Sequence, residues 1–437
     1  MLGLKRFLTF VADKGKKLVK DLFVKKKDTV DHLVDLCDEL ISESGVVSGI
    51  TIAREIFIFY EKFSLEEKEK FFLIINKKYR PDYSAINKAC RDFIHTNNEK
   101  NLSNLNLAVE GKRQELIRRI NLAPNGTQYL VHMREDLLYF LEKNEKLQTL
   151  DNDFKHLFRS WFNPGFLKLV RIQKDTDSDI LQRIIKYERV HEIKSIESLY
   201  RRLENDRLFF AYLHPIVDKE PLIFVQVALT KGVANSIQKI TEGEISNLSD
   251  YDTASFYSIS NASKGLQGIT LGNFLIKRVV FQIQQEFPKI KNFFTLSPIP
   301  GFANWFIHQS DDKIKKILKN FDIRKLSFLR EQEDINYNHH KFEEIKEPLK
   351  KLVYHYLVDE KKDNRPLNAV AYFHFNNGAT LYDILLNANL SINGYKESFG
   401  VMVNYYYELE KIVQNHHDFV KSGKISFSEN LKIYAKN

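Results

Sequence analysis

The chain has 437 residues, of which 43% are apolar and 28% charged, a globular composition long enough for two or three domains. Its two cysteines, Cys37 and Cys90, exclude a disulfide scaffold and a zinc site of several cysteines, and point to a reducing compartment. The net charge of +9 is unevenly placed: residues 1–28 hold nine Lys/Arg against three Asp, so the other 409 residues carry only +3 and the high pI does not argue for a nucleic-acid surface.

In the first 28 residues, Leu4, Phe7, Leu8, Val11, Leu18 and Leu22 fall near one helical face with the basic residues opposite. This reads as a basic amphipathic helix. Nothing after Lys5-Arg6 has the length of a secretory h-region, and a mitochondrial presequence would be richer in Arg and Ser. No apolar run approaches the ~18 residues of a membrane span. Residues 1–162 read as helical throughout. Ser64-Leu65-Glu66-Glu67 has capping-box spacing ahead of Phe71, Phe72 and Ile75, and Pro81-Asp82 ends that helix. A helix with Leu116, Ile117 and Ile120 stops at the turn Pro124-Asn125-Gly126, and a third stripe follows at Leu130, Met133, Leu137, Leu138 and Leu141. Each stripe reads as core.

After Asn163-Pro164-Gly165 the pattern changes. Leu208–His214, Leu222–Leu229, Ala254–Ser260 and Asn292–Leu296 are β-branched or aromatic runs of strand length. Helical stripes over Ile180–Tyr187, Ile193–Leu203, Val233–Ile240 and Leu271–Phe287 separate them, which predicts a mixed α/β domain over 163–437. Residues 308–365, polar and Lys-rich, read as a helical elaboration. Asn368–Phe375 reads as a last strand and Val401–Val413 as a final aromatic helix.

The most informative stretch is Ala254–Trp305. A strand runs into a loop with Gly265, Gly268 and Gly272, then a helix, a strand and Ser297-Pro298-Ile299-Pro300-Gly301-Phe302. Glycines ahead of a helix let the backbone approach a ligand, and the helix N-terminus offers unpaired N–H groups that suit a pyrophosphate. An ordinary tight turn has the same sequence, and neither a Walker loop nor a dinucleotide fingerprint is present. Ser297 follows a strand and precedes two prolines, where a serine can simply cap the next helix. His374 lies between two aromatics ahead of a turn, the setting of a satisfied core histidine. His339-His340 and His416-His417 are adjacent pairs without metal-ligand spacing.

Several segments together resemble the malonyl-CoA decarboxylase family. They are PLIFVQVALT at 221–230, FYSIS at 256–260, GLQGITLGNFLIKRVV at 265–280, LSPIPGF at 296–302 with Trp305, HFNNGA at 374–379 and MVNYYYEL at 402–409. His214-Pro215, EFP at 286–288, SWFNPGF at 160–166 and the Tyr79-Arg80-Pro81-Asp82 corner fit as well. The resemblance implies an α+β chain. An all-helical N-terminal domain, 1–162, would serve oligomer formation as a homodimer or homotetramer. A GNAT-like (acetyltransferase-type) catalytic domain would follow over 163–437. By resemblance, Ser297 and His374 match the family's catalytic serine and histidine. Gln267, Gly268, Ile269, Thr270, Leu271, Gly272 and Asn273 match the malonyl-CoA-binding loop, and Ser258 and Tyr407 match polar residues lining the pocket. The chain departs from the pattern at Thr270, where some family members carry a carboxylate.

The implied reaction converts malonyl-CoA to acetyl-CoA and CO2, in fatty acid or malonate metabolism. Loss of CO2 leaves a thioester enolate, and donors aimed at its oxygen stabilise the transition state. Histidine, with an ordinary pKa of ~6.5, can protonate the enolate carbon. His374 is therefore the expected proton donor, with Ser297 positioning the malonyl group. No metal, biotin or pyridoxal phosphate is expected, because the thioester is itself the electron sink. An acyl-CoA-dependent N-acyltransferase on the same fold is the alternative. A cytoplasmic location is expected, or the mitochondrial matrix if the basic N-terminal segment is a targeting sequence, with neither nucleic acid nor membrane as partner.

Overall fold

The computed structural model describes residues 29–435 except 43–44, 216, 218, 244–249, 270 and 331–339. The amphipathic helix expected over residues 1–28 and His339 lie outside the described residues. The chain divides into two compact units.

The first unit runs to Lys168 and also includes 213–222 and 263–271. Between Val30 and Trp161 its regular structure is helical, as the periodicity predicts. Ser64 and Glu67 form the expected capping box: the Glu67 N–H donates to the Ser64 hydroxyl, and the Ser64 N–H to the Glu67 carboxylate at 2.9 Å. Asp82 caps the helix Tyr83–Thr96 by accepting from the N–H groups of Ser84 and Ala85, while Pro81 keeps the preceding helix from continuing. The stripes become core: Phe71, Phe72, Leu116, Leu130 and Leu137 are buried, and Tyr60, Phe71, Phe72 and Phe140 pack ring against ring.

The second unit carries a seven-stranded sheet. Its strands are β1 (Lys168–Arg171), β2 (Arg207–Leu213), β3 (Pro221–Thr230), β4 (Thr253–Asn261), β5 (Asn292–Pro298), β8 (Thr380–Leu385) and β9 (Met402–Tyr406). A small hairpin of β6 (Lys361–Lys362) and β7 (Arg365–Pro366) stands apart. The sheet order is β1-β2-β3-β4-β5-β9-β8. β3 is buried along nearly its whole length, which is why its sequence is a continuous apolar run rather than an alternating one. β4 and β5 are parallel, joined by the helix Gly272–Glu286, and pair only from Thr253–Asn292 to Phe256–Thr295. Both strands continue beyond that point, so a gap in the ladder opens at their C-terminal ends.

Two expectations are corrected. Asn368–Phe375 is not a strand: Asn368 caps a helix, Ala369–Asn376, by accepting from the Ala371 N–H at 2.8 Å. Val401–Val413 is not a helix: Met402–Tyr406 is the strand β9, inserted between β5 and β8, and a helix resumes at Ile412. Three consecutive tyrosines suit a pleated surface between two strands as well as a helical stripe, and the neighbours decide. The stripe over Val233–Ile240 shrinks to a short helix, Ile237–Thr241.

Candidate active site

Ser297 is the penultimate residue of β5, and His374 lies in the last turn of the helix Ala369–Asn376. The serine does not cap the following helix, Phe302–Ile307, which begins at Gly301 without a side-chain cap. Its hydroxyl is instead 3.1 Å from His374 Nε2 and donates to Thr295 Oγ1 at 2.9 Å. The other imidazole nitrogen, Nδ1, is 2.8 Å from the Tyr407 hydroxyl. A continuous chain thus runs Tyr407–His374–Ser297–Thr295. With Ser297 donating to Thr295, His374 donates from Nε2 and accepts from Tyr407 at Nδ1; reversing the hydroxyls gives the other tautomer. Asn368 ties the two motifs together, since its Nδ2 donates to the Pro300 carbonyl at 2.9 Å while its Oδ1 caps the helix of His374.

All four side chains are buried. Burial lowers the His374 pKa to about 3, so the imidazole is neutral in the free protein. Burial also pushes the Tyr407 phenol well above the ordinary tyrosine value. The imidazole lies flat on the ring of Tyr405, with centroids 4.2 Å apart and planes at 21°. A cleft of about 220 Å³ reaches Tyr407 from outside, lined by Ile276, Lys277, Val280 and Phe281 on one side and Asn377 and Leu409 on the other.

The glycine-rich loop is held from within the first unit. Gly265 sits where a Cβ would collide with the Val131 carbonyl, and Gly268 has a φ of +79°, a conformation costly for other residues. Arg134, with no exposed surface, donates to the carbonyls of Gly265 and Gln267, the latter at 2.9 Å. Its Nε donates to the equally buried Asp151 at 2.8 Å, and Lys155 pairs with the second oxygen of that carboxylate at 2.6 Å. Glu135 accepts from the Ser263 hydroxyl at 3.0 Å and from the Gly265 N–H. Ile269 and Leu271 are buried. Gly272 begins the helix in the second unit, where a Cβ would press on the ring of Phe373 at 3.0 Å. Thr270 and the side chain of Asn273 lie outside the described residues.

Ser258 does not join Ser297 and His374. Gln226 pairs with Ser258 but Val227 pairs with Phe256, so Tyr257 is an extra residue in β4. Phe256 pairs with Thr295, hence shares the face of Ser297, and the extra residue turns Ser258 to the opposite face. There its hydroxyl donates to Glu188 at 2.7 Å. Glu188 also accepts from Ser260, Gln226 and the N–H groups of Val190 and His191.

Comparison with known proteins identifies the family. The sequence model of the malonyl-CoA decarboxylase C-terminal domain matches residues 165–437, and that of the N-terminal domain matches 79–162. The chain belongs to the malonyl-CoA decarboxylase family. It is a carboxy-lyase. The mitochondrial malonyl-CoA decarboxylase of Mus musculus is 32% identical over 353 residues, covering 75% of this chain and 72% of that protein. The crystal structure of malonyl-CoA decarboxylase from Rhodopseudomonas palustris superposes with a TM-score of 0.85 at 38% identity, covering 93% of this chain and 99% of that one. The structure from Agrobacterium vitis gives the same score and identity. Among the described residues no cluster could hold a metal ion and no helix is long and apolar enough to cross a membrane.

Arg134, Glu188, Thr295 and Tyr405 were not singled out from the sequence. For Arg134 a signal existed: it occupies the apolar stripe between Leu130 and Leu137, where a charge must find buried partners. For the others the signal is three-dimensional.

Proposed function

We propose that this chain decarboxylates malonyl-CoA to acetyl-CoA and CO2 at the Ser297–His374–Tyr407 chain, with the Gln267–Asn273 loop holding the CoA portion. The observation that supports this best is the hydrogen bond between Ser297 and His374, two residues from separate family motifs. The bond between the carboxylate carbon and C2 breaks, and its electron pair moves into the thioester as an enolate. No metal, biotin or pyridoxal phosphate is needed for that step, because the thioester carbonyl accepts the pair.

His374 is neutral in the free protein, so it carries no spare proton. A malonyl carboxylate beside it is an opposite charge for the imidazolium and raises its pKa. Binding of the anion thus lets the imidazole take up a proton from solvent. Once CO2 leaves, Nε2–H gives that proton to C2, while Tyr407 holds Nδ1 and fixes the ring plane. Ser297, anchored on Thr295, sets the position of the malonyl group.

The test is incubation of purified protein with malonyl-CoA and no acyl acceptor. Equal amounts of acetyl-CoA and CO2 are expected. Turnover only in the presence of an amine would replace this reading with acyl transfer, and no turnover by folded protein would overturn it.

A further inference from the structure

Tyr405 is a fully buried tyrosine whose hydroxyl has no hydrogen-bond partner among the described residues. A buried hydroxyl without a partner costs stability. Such a group in a native structure calls for an explanation. Its place supplies one. Tyr405 is on β9 opposite Thr295, on the sheet face that carries Ser297, and its N–H donates to the Thr295 hydroxyl. Its ring is the surface on which the His374 imidazole lies, and Phe375 meets it edge-on.

We propose that the Tyr405 hydroxyl donates to the thioester oxygen of bound malonyl-CoA, where the enolate charge develops. This rests on the malonyl-CoA decarboxylase reading of the site. The other imidazole neighbours are already engaged: Ser297 and Tyr407 hold the two ring nitrogens. Tyr405 is the donor left over, and burial with the Tyr407 phenol nearby keeps it a neutral phenol that always carries its proton. The chemistry chooses which oxygen it serves. A donor on the leaving carboxylate would stabilise the ground state and slow CO2 loss, whereas a donor on the thioester oxygen gains strength as charge arrives.

Tyr405→Phe removes one oxygen and no hydrogen bond to the described residues, so the test does not depend on surviving a disruptive change. The expected result is an unchanged or higher Tm, a kcat on malonyl-CoA lowered about 10- to 1000-fold, and acetyl-CoA affinity by calorimetry nearly unchanged. A Tm lowered by several degrees would mean that the hydroxyl has a structural partner and would overturn the assignment. So would kcat near the wild-type value, or a raised KM with kcat intact. Wild-type protein that leaves malonyl-CoA untouched would instead overturn the reading of the site on which the assignment rests.

Discussion

Arg134 Nη2 donates to the carbonyl of Gln267 at 2.9 Å, joining residues 133 positions apart in the chain. The guanidinium is spent entirely on one carboxylate and two backbone carbonyls of the glycine-rich loop, so its charge is satisfied without water. Such a planar multi-donor group cannot be replaced by an ammonium. The loop shape therefore depends on an arginine that lies outside the loop.

Arg134→Lys is expected to keep the chain folded through Asp151 and to loosen the loop. A hydrogen bond from a charged donor is worth ~1.5–3 kcal/mol, so KM for malonyl-CoA should rise about 10- to 100-fold. With Ser297 and His374 untouched, kcat should change little. Steady-state kinetics separate the two. An unchanged KM would show that the loop does not hold the substrate, and a matching fall in kcat would move the loop into the chemical step.

His374→Asn and Ser297→Ala are each expected to lower kcat about 10²–10⁴-fold, the range for a lost general acid or a lost positioning bond at the reacting group. Tyr407→Phe should cost less, because Nδ1 loses one neutral hydrogen bond while the ring remains stacked on Tyr405. The ordering is the test: a Tyr407→Phe variant as inactive as His374→Asn would make the phenol a proton carrier rather than a support. Circular dichroism must show each variant folded.

Much of this site was legible as sequence, for reasons that differ by residue. Ser297 and His374 stand in long, unusual motifs, and β3, β4 and β5 announce themselves as apolar runs of strand length. Their meeting was not legible, because it depends on β9 inserting beside β5 from more than a hundred residues away. The same long-range pairing made Tyr405 and Tyr406 strand residues and hid Tyr405 from the list of candidates. At Asn368–Phe375 the β-branched and aromatic residues favoured a strand, while the cap by Asn368 selected a helix. Strand pairing decided the first case and a local cap the second.

Acid stability offers an independent check on His374. An unfolded histidine titrates near ~6.5, whereas His374 in the folded protein is held at about 3 by burial, and His191 at about 3 by burial and by Arg202. Above pH ~6.5 both states are neutral and the full stability is present. As the pH falls below that value, the unfolded chain takes up protons that the folded protein refuses. Each histidine then removes roughly 1.4 kcal/mol per pH unit, down to its folded pKa. Urea midpoints should drop between pH 7 and pH 5, and His374→Asn should flatten that slope in part, because His191 and His214, whose pKa burial also lowers, still contribute. An unchanged slope in the variant would mean that His374 is not held neutral.

The last expectation separates Ser258 from the reacting residues. Family resemblance makes Ser258 a pocket residue, yet the extra residue Tyr257 in β4 sends its hydroxyl to Glu188 on the opposite sheet face from Ser297. Glu188 is buried and collects donors from Ser258, Ser260, Gln226, Val190 and His191, so each donor helps keep a charge in the interior satisfied. Ser258→Ala should therefore lower stability by roughly 1–3 kcal/mol, the worth of a bond to a buried carboxylate, and leave kcat and KM within about threefold. Glu188→Ala should cost more, because it strands several buried donors at once. Denaturation curves and kinetics on the same two variants decide the matter. A stable Ser258→Ala protein with kcat lowered a hundredfold would place that hydroxyl on the substrate. It would also mean that β4 changes its pairing around Tyr257 when the thioester binds.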